Sequence, residues 1–189
     1  MYHQRVENIV DMLLNIELPQ LRSVDIGNIR KIKALLAIIS TEVPMLVDIT
    51  KLATLTGIAR TTMLAYLQYL HEAKLIRLLY SDDLSVKKMQ KPDKILMENT
   101  NLLQALSLQV PNIGTMRETF FCNQLGYTHQ VEYNKRGDYL IDHKYVFEIG
   151  GKAKDGKQVA NMENAYIASD ECDYPIGNKL PLWLFGLMY

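Results

Sequence analysis

The chain has 189 residues, 48% of them apolar, and a formal net charge of zero. That length suits one domain or two small ones, and the apolar fraction is enough for a real core. A neutral balance excludes a global field drawing the protein to nucleic acid or a membrane, so any such role needs a local patch.

Cys122 and Cys172 are the only cysteines. This excludes a disulfide scaffold and a Cys-x-x-Cys zinc or redox site, and fits two reduced thiols in a cytoplasmic protein. The start, "MYHQRVENIV", has no apolar signal-peptide core. The apolar runs "IKALLAII" and "LPLWLFGLMY" fall short of the roughly 18 residues of a membrane span, so no membrane partner is expected.

The first predicted helix covers "VENIVDMLLNIEL", with Val6, Ile9, Val10, Leu13 and Leu14 on one apolar face. Pro19 is expected to end it. A second helix, "NIRKIKALLAIIS", starts at Asn28, a residue able to cap its N-terminus. Asp48 can cap a short helix over Ile49 to Thr56, and Gly57 suits the left-handed turn that follows. A helix from about Ala59 to Ala73 buries Met63, Tyr66, Leu67 and Leu70. "LIRLLY" and "KKMQKPDKILME" then read as two strands of a hairpin around Asp82 and Asp83. Two helices about a glycine turn followed by a hairpin form the winged helix-turn-helix pattern.

"NTNLLQALSLQVPN" reads as a helix and a joint, which places the boundary between two domains, 1–105 and 106–189. The second part reads α, β, β, β, α, β. "GTMRETFFCNQL" is a helix, "THQVEYN", "DYLIDH" and "KYVFEIG" are strands, "KQVANMENAYIAS" is a helix, and "LPLWLFGLMY" is a strand covered on both faces. The expected class is therefore mixed α/β, an α+β chain.

Three acids stand out. Glu118 lies on the first helix of this part, Asp138 begins its second strand and Glu148 sits in an apolar third strand. The gap between Asp138 and Glu148 allows a hairpin to bring them side by side. Carboxylates gathered in this way make the hard-oxygen site Mg²⁺ prefers, and a nearby lysine would polarise a water or steady a phosphate. The plain alternatives stay open: Glu148 paired with Lys152 or Lys144 at a strand end, Asp138 in a turn, and Glu118 on a solvated helix face.

This order of elements and residues resembles the PD-(D/E)XK nuclease-like fold. More closely, "LATLTGIARTTMLAYLQYLHEAKLI", "RGDYLI", "FEIGGKAKDGKQ" and "LPLWLFGLMY" resemble the C-terminal region of prokaryotic AAA-type ATPases, a winged helix joined to a degenerate restriction-endonuclease-like domain. The resemblance implies catalytic roles for Asp138, Glu148, Lys152 and Gln158, and Mg²⁺ ligation by Glu118, Asp138 and Glu148. It also implies an upstream ATPase domain of the same parent protein as a partner. Two positions depart from the pattern. Gly150 stands where the nuclease lysine belongs, two residues after the acid, and Arg136 stands where an acid is usual. Lys152 has the right parity but reaches the acid only if "GG" bends the chain back.

For DNA, the recognition helix would offer Arg60, Thr61 and Thr62, and the wing would offer Lys87, Lys88 and Lys91. From Lys74 to Lys94 six cations face three acids, an excess suited to phosphates. The acids at the wing tip count against DNA, and winged helices also dock proteins. The four histidines show no metal-ligand spacing, and Trp183 and Tyr189 read as core. No Gly-x-x-x-x-Gly-Lys-Ser/Thr loop occurs, so no nucleotide site is expected. The leading expectation is a nucleic-acid-associated accessory module of an AAA-type ATPase with a degenerate nuclease-like site, either a C-terminal fragment of a longer chain or a stand-alone remnant. The alternatives are an active Mg²⁺-dependent DNA endonuclease and a protein-interaction adaptor.

Overall fold

The computed structural model describes residues 2–22, 24–82 and 91–188. It is a mixed α+β chain with seven α-helices, a three-stranded sheet and a five-stranded sheet among those residues. The chain divides into two compact units, Met1–Leu78 with Ile95–Pro111, and Leu79–Lys94 with Asn112–Tyr189.

The first unit opens with α1 (Tyr2–Met12), a π turn (Leu13–Glu17) and α2 (Leu18–Arg22). Pro19 does not end this helical run. The Leu18 N–H bonds back to the Leu13 carbonyl, one residue further than in an α-helix. That widened turn makes room for the ring and absorbs its missing donor. Val10, Leu14 and Leu18 form the buried stripe, while Ile9 is exposed.

Helix α3 (Ile26–Glu42) starts earlier than expected. Asp25, not Asn28, is its cap, accepting from the Gly27 N–H at 3.1 Å. Ile32, Leu35 and Ile39 on its inner face are fully buried. After strand β1 (Met45–Leu46), Asp48 caps α4 (Ile49–Thr56) through the Thr50 and Lys51 N–H groups. Gly57 takes a left-handed φ of 65° and turns the chain into α5 (Arg60–Glu72). Met63, Tyr66, Leu67 and Leu70 of α5 are all buried. Strands β2 (Ile76–Leu79) and β3 (Lys94–Met97) follow, and the sheet order is β1-β3-β2. Helix, glycine turn, helix and hairpin occur in the order of a winged helix-turn-helix. Helix α6 (Thr100–Leu106), capped by Asn99, closes this part.

The second unit is built on α7 (Ile113–Leu125) and strands β4 (Val131–Tyr133), β5 (Tyr139–Ile141), β6 (Tyr145–Gly150), β7 (Ala165–Ser169) and β8 (Lys179–Pro181), in that spatial order. The β4-β5-β6 pairings are antiparallel, and β6-β7-β8 are parallel. Phe121 of α7 packs on one sheet face with Tyr139, Phe147 and Phe185. Leu140, Val146, Ala165 and Ile167 cluster on the other face with Val159.

Two expectations fail here. The segment read as a helix, Lys157–Ser169, is a series of turns followed by strand β7. Val159, Met162 and Tyr166 have helical spacing, but Asn164 takes a φ of 54° and breaks any helix ahead of the strand. The terminal apolar run is not a strand covered on both faces. Pro181 ends β8, and Leu182–Leu187 form a 3₁₀ helix that buries Leu182 and Phe185. Trp183 on its outer side is 54% exposed, so it is not core. Tyr189 lies outside the described residues.

Candidate functional site

The register of β5 and β6 sets the residues beside the acids. Tyr139 pairs with Phe147 and Leu140 with Val146. Asp138 lies in the bend just before β5, and its N–H donates to the Phe147 carbonyl at 2.8 Å. Side chains alternate along a strand, so Glu148 shares the face of Val146. Asp138 also accepts the Ile149 N–H at 2.7 Å.

Glu118 arrives from α7, on the opposite face. Its carboxylate accepts the Tyr139 hydroxyl at 2.5 Å and the Lys94 ammonium at 2.6 Å. Glu118 and Glu148 thus belong to opposite faces, and the charges of Glu118, Lys94 and Lys154 all reach Asp138.

Glu148 is 2% exposed. Its Oε1 pairs with the Lys154 ammonium at 2.8 Å, and its Oε2 has no hydrogen-bond partner among the described residues. Lys154 is the lysine that sequence parity missed. A Cβ at Gly150 would lie 2.8–2.9 Å from the Cβ, Cγ and Cδ of Lys154. The Lys154 stem therefore fills the space that a side chain at position 150 would take, and its ammonium ends at the acid. The turn that sends it back is closed by the Lys154 N–H on the Gly151 carbonyl at 3.0 Å. Ser169 and Lys179 brace that loop through the carbonyls of Gly151 and Lys152. Arg117, paired with Asp170 at 3.0 Å, lies against Gly151.

Lys152 offers that carbonyl and an exposed side chain, and it does not pair with the acids. Gln158 is exposed in the turns after Gly156, not at a helix start. The signal for Lys154 was local: two glycines followed by Lys-Ala-Lys, in which only the second lysine leaves enough chain to fold back.

Burial pushes the Asp138 carboxyl above the ordinary aspartate range. The Ile149 N–H opposes that rise, Glu118 adds to it, and Lys94 and Lys154 reduce it. For Lys154, burial disfavours the charge, but the Glu148 hydrogen bond and the charges of Glu148, Asp138 and Glu118 outweigh it and hold the ammonium above the usual lysine range. Tyr139 is pushed well up by burial, with Cys122 and Glu118 adding to the shift.

Glu118, Asp138 and Glu148 do not bring their donor atoms within 4.8 Å of one another as a set. Among the described residues the one trio of acid, histidine or cysteine ligands with all donor atoms within 4.8 Å is Asp82, Glu132 and His143. The histidines, scattered in sequence, thus supply a member to a compact cluster after all.

On the first unit, Arg60 and Thr61 are exposed at the start of α5, and Thr62 is half-buried. Lys91 is exposed, whereas Lys87 and Lys88 lie outside the described residues, as does Asp83. Two of the six cations between Lys74 and Lys94 turn inward. Arg77 pairs with Glu98 at 2.5 Å, both buried, and Lys94 pairs with Glu118. The expected phosphate-facing surplus loses both, because each sits on a strand position that points into the core. No described helix is long and apolar enough to cross a membrane.

No curated protein and no solved structure matches this chain. Residues 2–112, more than half of the chain, match the model of one family, and the chain belongs to that family, described as Domain of unknown function (DUF8612).

Proposed function

We propose that the chain is a nucleic-acid-associated accessory module of an AAA-type ATPase whose second unit carries a nuclease-like site closed by its own lysines. One observation carries the reading: Lys154 crosses Gly150 and its ammonium holds the buried carboxylate of Glu148. Lys94 holds Glu118 in the same way. Two ammonium ions thus stand where a working site would offer its acids to a metal, and the third acid, Asp138, is tied to the Ile149 N–H. A scaffold kept after loss of catalysis needs its buried carboxylates neutralised, since a lone buried charge is costly.

The test is plasmid incubation with Mg²⁺ or Mn²⁺, beside an Asp138→Ala, Glu148→Ala double variant. The expected result is no cleavage by either protein. Cleavage by the natural sequence alone would overturn the reading.

That outcome would favour a second reading, an active metal-dependent endonuclease. Its support is that a lysine does reach the acid despite Gly150, and that Glu148 Oε2 is left without a hydrogen-bond partner. There Lys154, rather than Lys152, would hold the water or phosphate.

A further inference from the structure

Apart from the acids of β5 and β6, the second unit gathers Asp82, Glu132 and His143 from three places in the sequence. Glu132 is on β4, Asp82 follows the bridge between Ser81 and Tyr133, and His143 is in the turn between β5 and β6. His143 Nδ1 lies 2.9 Å from Glu132 Oε2 and 3.3 Å from Asp82 Oδ1.

These separations are those of ligands on one ion. Donors about 2.0–2.2 Å from a metal stand about 3.0–3.4 Å from each other in octahedral or tetrahedral geometry. Orientation supports the same reading. Glu132 is 8% exposed, and its Oε2 has no hydrogen-bond partner among the described residues despite the nearby imidazole. The two atoms are close without being aligned for a proton between them, as expected when both aim at a common point. The other Glu132 oxygen accepts from Gln130 at 3.1 Å, which fixes the carboxylate's rotation. A ligand's second partner commonly plays that part.

The turn presents His143 deliberately. Asp142 and His143 both take positive φ, 51° and 55°, at the two centre positions of a tight hairpin where Asn-Gly is the easy choice. Asp142 is itself tied to His129 and to the Gln130 N–H.

We infer that Asp82, Glu132 and His143 form a site for a first-row divalent cation of the zinc class. An imidazole nitrogen with two carboxylates suits Zn²⁺, Co²⁺ or Mn²⁺ and disfavours the all-oxygen ions Mg²⁺ and Ca²⁺. The side chains of His143 and Asp82 are 52% and 50% exposed, which leaves the outer coordination positions to water. The bound ion clips the segment after β2 to the β4–β6 meander. The competing account is an imidazolium bridging two acids, with no metal affinity.

Isothermal titration of the full chain with ZnCl₂ separates the two. The expected result is one site, weakened about tenfold or more by His143→Ala and by Glu132→Gln. The Asp138→Ala, Glu148→Ala double variant keeps the site, so its fate is independent of any nuclease reading. Co²⁺ should give visible d–d bands that His143→Ala abolishes. His143 is half exposed, so its loss leaves the fold intact, and a circular dichroism melt checks this. No zinc uptake by the natural sequence, or equal uptake by His143→Ala, overturns the inference.

Discussion

Lys154 lies across Gly150, its methylenes occupying the volume where a residue-150 side chain would stand and its ammonium 2.8 Å from Glu148. A missing side chain at one position and a long one four residues later are a single device. Gly150→Ala should push the Lys154 stem away and leave Glu148 with a weaker partner, costing about 1–3 kcal/mol. Lys154→Met should cost about 3 kcal/mol, because it leaves a buried carboxylate alone. The double variant should cost less than the sum, since both remove one interaction. Lys152→Met should change little. Urea denaturation of the four proteins checks this, and additive losses would separate Gly150 from Lys154.

Asp138 gives a pH prediction. Its carboxyl is raised in the fold by burial. Between its unfolded and folded values the native state holds the extra proton, so stability contributed by this group falls as pH rises through that window. Asp138→Asn removes that fall. Thermal melts from pH 3 to pH 7, in steps of about one unit, should show the natural protein losing ground against the variant, and parallel curves would sink the assignment.

Much of this was legible in the chain. Asp48, Gly57 and the buried positions of α5 follow from capping chemistry and 3.6-residue periodicity, which are local. The buried place of Glu148 followed from the apolar strand that holds it. What failed was of three kinds. Short apolar spacings fit more than one element, as over Lys157–Ser169, where Asn164 decided the outcome. Partnerships across long separations leave no local mark: Lys94 with Glu118, Arg77 with Glu98, and Asp82 with Glu132 and His143. The π turn before Pro19 shows a third kind, a helix that absorbs its breaker.

If the winged helix touches DNA, Arg60 is the exposed cation at the start of α5. Arg60→Ala should then weaken binding to any duplex and lower the slope of log affinity against log salt by about one. Thr62→Ala should matter less, since Thr62 is half-buried. Fluorescence anisotropy with a labelled duplex across a salt series reads both. No binding at low salt would instead support the adaptor account.

The Glu118 carboxylate serves two partners at once, and that makes its removal unequal to the removal of either. Tyr139 is fully buried, stacked on Phe121, and donates its hydroxyl to Glu118. Lys94, with its side chain 9% exposed, supplies the counter-charge and lies over the Tyr139 ring at 4.6 Å. Tyr139→Phe keeps the ring, the stacking and the ion pair, and loses one charge-assisted hydrogen bond, about 1.5–3 kcal/mol. Glu118→Ala strands a buried ammonium and a buried hydroxyl together, so it should cost more, about 3–5 kcal/mol. Glu118→Gln keeps an acceptor for Tyr139 but not the charge for Lys94, and should fall between them. The order Tyr139→Phe, Glu118→Gln, Glu118→Ala in denaturation midpoints is the expected result. If Glu118→Ala proves the mildest of the three, Glu118 is a solvated helix residue and does not close the site.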